Sequence, residues 1–473
     1  MSFSESHIRT IVSEVVRDLS PAASNSALPS NADIGDGIYQ TVDDAVRAAR
    51  QAQQTLERMT LEDRRSIIQA IRRSAMAHAK GIAQQTVEET GMGRVPHKIK
   101  KLEIVTSSTP GIEDLTPTAW TGDRGLTVVE LAPFGVVAAV TPSTHPVPTI
   151  VNNAISIIAA GNSVVFNPHP GAKRISALGI QILNRSIVDA GGPANLLTAV
   201  SEPTIQTGQA LFVHPGVNLL LVTGGSGVAR AAMQSPKRAI VAGPGNPPVV
   251  VDETADLEQA ARDIITGAGF DNNILCIGEK ETFVVQHVAD ELKRNLVANR
   301  CVELNRAKTD ALARVAFPTD ASGEWGLNRD LVGRSAHALA AAVDVEVPAD
   351  TELLIAEVDA SHPFVQQEQM MPFMPIVRVP DVRTAIDMAV EAEHGYLHTA
   401  VMHSKNVEHM TEMARRCRCT LFIKNGPSAA GLGVGGEGFT SFSIATPTGE
   451  GVTSARTFTR QRRCTLVDYF RIV

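Results

Sequence analysis

An α/β fold built around a doubly wound parallel sheet is predicted by the alternation of short apolar runs with helical periodicities along most of the chain. The apolar runs are framed by Gly- and Pro-rich turns, as strands that feed helices require. At 473 residues with 44% hydrophobic content, the chain can bury enough surface for two or three domains.

In chain order, Ile8, Ile11, Val12, Val15, Val16 and Leu19 recur at helical intervals among Glu5, Arg9, Glu14, Arg17 and Asp18. They predict one amphipathic helix from Ser6 to Leu19, within residues 1–19. Residues 20–36 are rich in Pro, Ser, Ala and Asn and bury too little to order themselves, so they are expected to form a flexible linker. The helix is therefore tethered to the body. On its residues alone it is a partner-docking helix, an oligomer-packing helix or a membrane-surface helix, and the mixed charge of its polar face argues against the last.

The body begins near Tyr39, with Thr41 as the expected N-cap of a helix and helical patterns continuing to about Glu89. From Gly125 the pattern changes. Strands are expected at 126–131, 135–140, 162–166, 218–223 and 239–241, with a helix from Ile150 to Ala160 among them, and a second α/β block opens at 249–251.

Net charge is −7, and no basic stripe with interleaved aromatics appears, so neither nucleic acid nor an anionic membrane is an expected partner. No apolar run approaches the length of a membrane span. The first residues lack the basic start and apolar core of a secretory signal, which points to a reducing, cytoplasmic setting with free thiols. The five cysteines are odd in number and unpaired in spacing, so no disulfide framework follows. No metal site is expected either: Cys417 and Cys419 have no second pair, Gly395 interrupts the helical spacing of His394 and His398, and both stretches lead into strands.

Three segments carry chemistry. Thr141-Pro142-Ser143-Thr144-His145 follows a strand and precedes a helix, which places its side chains at the carboxyl end of a parallel sheet, where open α/β folds bind ligands. Thr223-Gly224-Gly225-Ser226 makes the same passage. Its glycines let backbone amides approach a pyrophosphate at a helix N-terminus, although such turns also arise for structural reasons and this one is not GxGxxG. Cys276 lies in Ala-Gly-Phe-Asp-Asn-Asn-Ile-Leu-Cys-Ile-Gly-Glu. A free cysteine is more often a small buried hydrophobe than a nucleophile, so its case rests on the company it keeps.

The Cys276 segment, with Ile-Val-Ala242-Gly-Pro-Gly-Asn246-Pro-Pro248 upstream, resembles the nucleophile region of the aldehyde dehydrogenase superfamily. Hydrolytic members carry a glutamate where this chain has Ala242. The resemblance therefore implies that the acyl group leaves on a thiol such as coenzyme A instead of on water. His362-Pro-Phe-Val-Gln-Gln-Glu368-Gln-Met370-Met-Pro372 is similar to the family segment whose glutamate holds the nicotinamide ribose, which gives that role to Glu368 and places Met370 beside it. Lys424-Asn-Gly-Pro, the glycine-rich run from Gly431 to Gly451, Ser454-Ala-Arg-Thr-Phe458 and Arg462-Arg463-Cys464 resemble the CoA-acylating propionaldehyde and acetaldehyde dehydrogenases of bacterial microcompartments.

Two departures matter. Gly161-Asn-Ser-Val-Val-Phe-Asn167-Pro-His169 lacks the lysine that grips the adenosine ribose in hydrolytic relatives, which leaves Asn167 and His169 there and favours NAD over NADP. His145 stands where most acylating relatives are expected to carry asparagine. Its imidazole either donates a hydrogen bond to the aldehyde oxygen or orients the loop.

The resemblance implies an aldehyde dehydrogenase-like fold with a Rossmann-type NAD-binding domain over 37–242, including a bridging strand at about 124–133, a catalytic domain over 243–445 and a return and bridging tail over 446–473. Segments 126–131 and 457–473 match the bridging elements of a homodimer or homotetramer. It implies oxidation of a short-chain aldehyde, propionaldehyde first, with NAD and coenzyme A. The alternatives are an acetaldehyde- or lactaldehyde-specific acylating enzyme, a hydrolytic one, or an inactive microcompartment scaffold. The implied catalytic residues are Cys276, His145 and Thr144; the implied cofactor residues are Thr141, Pro142, Ser143, Asn167, His169, Thr223, Gly224, Gly225, Ser226, Glu368 and Met370. The N-terminal helix resembles the peptides that address enzymes to microcompartment shells, which implies a place inside such a compartment.

Overall fold

A computed structural model describes residues 35–473 except 320–322 and 324. The helix expected within 1–19, and the linker as far as residue 34, lie outside the described residues.

The strands, in chain order, are β1 (Ile38–Tyr39), β2 (Thr118–Gly122), β3 (Gly125–Pro133), β4 (Val136–Thr141), β5 (Ser163–Pro168), β6 (Leu197–Val200), β7 (Leu219–Thr223), β8 (Ala239–Ala242) and β9 (Pro248–Val251). They continue with β10 (Glu281–Val285), β11 (Cys301–Glu303), β12 (Leu353–Glu357), β13 (Phe373–Val379), β14 (Thr399–His403), β15 (Leu421–Lys424), β16 (Ile444–Ala445), β17 (Gly451–Val452) and β18 (Thr459–Val467).

Period-two alternation in strands that are apolar on both faces requires cover on both sides, and the first sheet shows it. Its order is β1-β6-β5-β4-β7-β8, all parallel. Val137 and Ala139 face a core with Ile67, Ile150, Ile157 and Leu183, supplied by the helices Leu61–Ala77, Pro146–Ala159 and Lys173–Asp189. Val136 and Ala138 face the opposite core, built from Val42–Leu56, Ile205–Val213 and Ser226–Met233. Each fully buried Ile, Leu or Phe contributes about 1.5–3 kcal/mol. The second sheet, β11-β12-β13-β10-β9-β14-β15, is likewise parallel and covered on both faces. The expectation of an α/β fold on parallel sheets holds.

A third sheet is antiparallel, in the order β18-β3-β2, with β18 paired to β3 from Thr459↔Pro133 to Val467↔Gly125. It leaves Trp120, Leu466 and Val467 exposed, together with Tyr469, Phe470, Ile472 and Val473 beyond it.

Several elements differ from expectation. The helix expected from Ile150 starts at Pro146, because Pro146 and Pro148 fall in its first turn, where a missing N–H costs nothing. The helical stretch to Glu89 is three helices, Val42–Leu56, Leu61–Ala77 and Ala79–Thr90, separated at Thr60 by a reciprocal capping box with Asp63 and at His78 by non-helical backbone. Gly91, at φ 67°, ends the third. A fourth helix, Val95–Ser108, was not anticipated. Lysines interrupt its apolar stripe, yet two of them, Lys98 and Lys101, point into the interior.

Candidate active site

The helix Leu257–Gly269 delivers the chain into the loop that carries Cys276. Asp271, Asn272 and Asn273 follow at φ 52°, 57° and 62°, three consecutive left-handed residues of the types that tolerate this region best. Each is tethered by its side chain. Asp271 Oδ1 accepts from the Arg94 N–H at 2.8 Å, and Asn272 accepts from Arg94 Nε at 2.7 Å while donating to Gly333 O at 2.7 Å. Asn273 Nδ2 donates to Glu279 O at 3.0 Å.

Behind the loop, Lys98 Nζ reaches Asp271 Oδ2 at 2.8 Å and donates to Thr144 O at 2.7 Å, while Lys101 Nζ contacts the same Oδ2. The helix Val95–Ser108 thus ties the Cys276 loop to the loop that bears Thr144 and His145. Burial alone would raise the Asp271 carboxyl, but the ammonium groups of Lys101 and Lys98 outweigh it and hold it at about 2. Burial and then the Lys101 charge bring Lys98 down to about 7 against the opposing pull of Asp271.

Cys276 is half-buried. Burial and then the nearby Glu368 push its thiol up to about 12, opposed by Lys280 and Lys101, so the resting group is a thiol at neutral pH. Lys280 is fully buried, and its Nζ donates to Asn273 O at 2.9 Å, Asn273 Oδ1 at 2.5 Å and Leu275 O at 3.1 Å.

The turn after β8 closes on this loop. Ala242 is buried at the end of β8, and Gly245 lies so close that a β-carbon on it would stand 2.7 Å from Cys276 O. The Gly245 N–H donates to Glu368 Oε1 at 3.3 Å, so Cys276, the turn following Ala242 and Glu368 are neighbours. His398 packs on the other side of Gly245. Its Nδ1 is 2.8 Å from Thr399 Oγ1, its buried Nε2 has no hydrogen-bond partner among the described residues, and burial, then Lys280, brings its imidazole down to about 4, neutral at pH 7.

His145 is buried with Nδ1 3.0 Å from Thr144 Oγ1 and its ring edge-on to Phe442. Burial, then Lys101 and Lys98, hold it well below its usual range, so it too is a neutral imidazole.

The remaining candidates lie along the carboxyl edge of the first sheet. From β4 the chain continues to β5 on one side, while from β7 it continues to β8 on the other, so the two adjacent strands form a topological switch point. Thr141 ends β4 with a buried Oγ1 that has no hydrogen-bond partner among the described residues, and half-buried Pro142 and Ser143 follow. Thr223 ends β7, its Oγ1 2.7 Å from Ser443 Oγ, and Gly224, Gly225 and Ser226 lead into the helix Ser226–Met233. A β-carbon on Gly225 would meet nothing within 4 Å. An orphaned hydroxyl, open glycine backbone and a switch point fit a dinucleotide there. Asn167 uses both ends of its amide, donating to Thr204 O at 3.2 Å and accepting from Thr207 Oγ1 at 2.6 Å. His169 is exposed and accepts from the Gly171 N–H at 3.0 Å. Met370, left-handed at φ 50°, accepts from the Gly333 N–H at 3.0 Å.

Sequence reasoning missed Lys98, Lys101, Asp271, Lys280 and His398. The run Asp271-Asn272-Asn273 was an available signal for a left-handed turn.

The chain matches the aldehyde dehydrogenase family over residues 19–308, more than half its length. It belongs to that family. As an aldehyde dehydrogenase it is 51% identical to acetaldehyde dehydrogenase (acetylating) EutE of Salmonella typhimurium over 464 residues, covering 98% of this chain and 99% of that protein. It superposes with TM-score 0.90 and 44% identity on a propionaldehyde dehydrogenase from the fucose utilisation microcompartment of Clostridium phytofermentans, across 92% of this chain and 100% of that one. A propionaldehyde dehydrogenase of Rhodopseudomonas palustris, solved with bound CoA and an acylated cysteine, gives TM-score 0.89 at 46% identity, across 92% of this chain and 99% of that one.

Proposed function

We propose that this aldehyde dehydrogenase converts a short-chain aldehyde to acyl-CoA through a thioester on Cys276, with NAD⁺ and coenzyme A as co-substrates. The observation that carries the reading is the contact of Gly245 with the Cys276 carbonyl. It sets the turn after β8 against the nucleophile, and that strand ends in the methyl group of Ala242, which cannot activate water.

The Cys276 sulfur attacks the aldehyde carbon as thiolate, and the Cys276 N–H with a side chain of the Thr144–His145 loop receives the developing oxyanion. NAD⁺, when bound, supplies the hydride acceptor. Thr141, Pro142 and Ser143 with Thr223, Gly224, Gly225 and Ser226 line its place at the switch point. Asn167 and His169 stand at the adjacent strand end, and Glu368 and Met370 approach from the second sheet. The CoA sulfur then bonds to the acyl carbon, and the Cys276 thiolate departs.

NADH formation from a panel of aldehydes, with and without CoA, tests this and orders propionaldehyde against acetaldehyde. Rapid free-acid release without any thiol would sink the acyl-transfer reading.

Two further proposals concern partners. The exposed apolar residues Trp120, Leu466 and Val467 on the antiparallel sheet, and Tyr469, Phe470, Ile472 and Val473 after it, suit a second copy of the chain, giving a homodimer or homotetramer. Residues 1–19 direct the enzyme into a microcompartment, a reading supported by their amphipathic sequence pattern and by the source of the Clostridium phytofermentans relative. A fluorescent reporter carrying residues 1–19 should enter a cognate shell and, with Ile11→Asp and Val15→Asp, stay outside. A diffuse native fusion would overturn the targeting role.

A further inference from the structure

Lys280 lies in the run Glu279-Lys280-Glu281, which has the composition of a solvated segment, yet all three residues are fully buried. Among the described residues its three hydrogen bonds all go to oxygens of neutral groups: Asn273 O, Asn273 Oδ1 and Leu275 O. The last of these matters most. Leu275 O and Cys276 N belong to one peptide unit, and because that unit is trans, its oxygen and its N–H point in opposite directions. The oxygen also accepts from the Gly278 N–H at 3.0 Å, so the ammonium and this turn together set where the Cys276 N–H points, and of the two only the ammonium brings a full charge. It also draws electron density toward the oxygen, and hydrogen bonds linked through one polar group in a low-dielectric interior strengthen one another.

We propose that Lys280 is a positioning residue which, by binding the Leu275 carbonyl, orients and polarises the Leu275–Cys276 peptide so that the Cys276 N–H becomes a stronger donor to the substrate oxyanion. The inference rests on Cys276 being the nucleophile. As the thiolate bonds to the aldehyde carbon, the carbonyl π pair moves onto oxygen; no proton is transferred, and Lys280 keeps its charge. A second tetrahedral oxyanion forms when the CoA sulfur bonds to the acyl carbon of the thioester, so Lys280 supports both halves of the reaction.

Several charged or titratable groups face Lys280: Cys276 on the loop, Glu368 from the segment before β13, its chain neighbours Glu279 and Glu281, the latter opening β10, and His398 ahead of β14. Lys98, Lys101 and Asp271 pack against the far side of the loop. Glu279 is held by the Ser428 N–H and hydroxyl, each at 2.8 Å, and among the described residues neither carboxyl oxygen of Glu281 has a hydrogen-bond partner. Burial brings the Lys280 ammonium down to about 8, so its charge is present below that pH and lost above it.

The test compares Lys280→Met and Lys280→Arg with the unaltered full-length enzyme in two assays: turnover of propionaldehyde with NAD⁺ and CoA, and alkylation of Cys276 by iodoacetamide, which needs the thiolate but forms no oxyanion. Lys280→Met should lower kcat about ten- to a hundredfold. Its alkylation rate should fall at least about tenfold less than turnover, since only turnover passes through an oxyanion. Lys280→Arg should restore most of the turnover, and the ratio of unaltered to Arg-variant rates should decline above about pH 8, where the lysine discharges and the guanidinium does not. Equal losses in both assays, no loss in either, or identical pH profiles for Lys and Arg would overturn the proposal. If a variant fails to fold by circular dichroism, Lys280→Gln, which keeps a neutral donor, takes its place with an intermediate turnover expected and the same overturning results. Cys276→Ala, run alongside, separates the two failures. Turnover surviving there overturns the nucleophile and this inference with it, whereas turnover lost there but intact in Lys280→Met overturns the inference alone.

Discussion

Gly245 leaves no room for a side chain between Cys276 and His398: a β-carbon there would stand 2.7 Å from the Cys276 carbonyl oxygen and 2.9 Å from His398 Cγ. Backbone meets backbone at this point, so the position of the nucleophile depends on the turn that follows β8. Gly245→Ala should displace the Cys276 loop, lowering turnover about tenfold or more and stability by about 1–3 kcal/mol. Steady-state kinetics and thermal unfolding check this. Unchanged kinetics would mean that the loop shifts without consequence.

Cys276→Ala should abolish acyl-CoA formation and leave cofactor binding in place, because the proposed nucleophile carries the covalent step and most of the proposed dinucleotide residues lie at the edge of the other sheet. Alanine at Cys301, Cys417, Cys419 or Cys464 should preserve the chemistry, with a stability cost of about 1 kcal/mol at the buried Cys301 and Cys417. Mass spectrometry of the trapped acyl-enzyme locates the adduct, and an acyl group on any cysteine but Cys276 would refute the assignment.

Ala242→Glu should open a hydrolytic leak. The new carboxylate would arise at the end of β8, beside the turn that touches Cys276, where it can draw a proton from water. Free acid formed from aldehyde and NAD⁺ without CoA is the measurement, and a leak no larger than that of the unaltered enzyme would count against the role given to this position.

Glu279 makes stability fall with rising pH across the range from its unfolded value to neutrality. Burial raises its carboxyl from 4.5 to about 7, against the hydrogen bonds from Ser428, so between those values the folded state holds a proton that the unfolded chain has lost. The favourable contribution is complete below about pH 4.5 and is lost as pH rises through about 7. Glu279→Gln keeps a neutral partner for Ser428 and removes the titration. Its advantage in melting temperature over the unaltered protein should therefore grow from pH 4.5 to 8, by the equivalent of about 1 kcal/mol or more. A difference that stays constant with pH would place the raised group elsewhere.

The strand-to-helix turns proposed to hold the cofactor were legible because the strands leading to Thr141 and Thr223 are continuous apolar runs broken by Pro, Gly and Ser, a local pattern that marks a strand end before a helix. Cys276 and Ala242 were legible only through family resemblance, since a lone cysteine and a lone alanine carry no chemical signature. Lys98 and Lys101 could not be read. Lysines on a helix normally face water, and theirs are buried only because Asp271, far along the chain, supplies the charge that holds them. Lys280 could not be read either, since two of its three partners are backbone carbonyls that any residue type carries and the third is the side-chain oxygen of Asn273.

The pairing of β3 with β18 joins residues separated by more than three hundred positions in the chain. During synthesis β3 emerges first and must wait with one edge unpaired while the intervening sheets are made, since its second neighbour lies at residues 459–467. An unpaired edge of this length is a template for other chains. A chain interrupted before residue 459 can therefore have its Cys276 loop in place and still present an open edge that invites aggregation, which makes β18 a safeguard against self-association of unfinished chains.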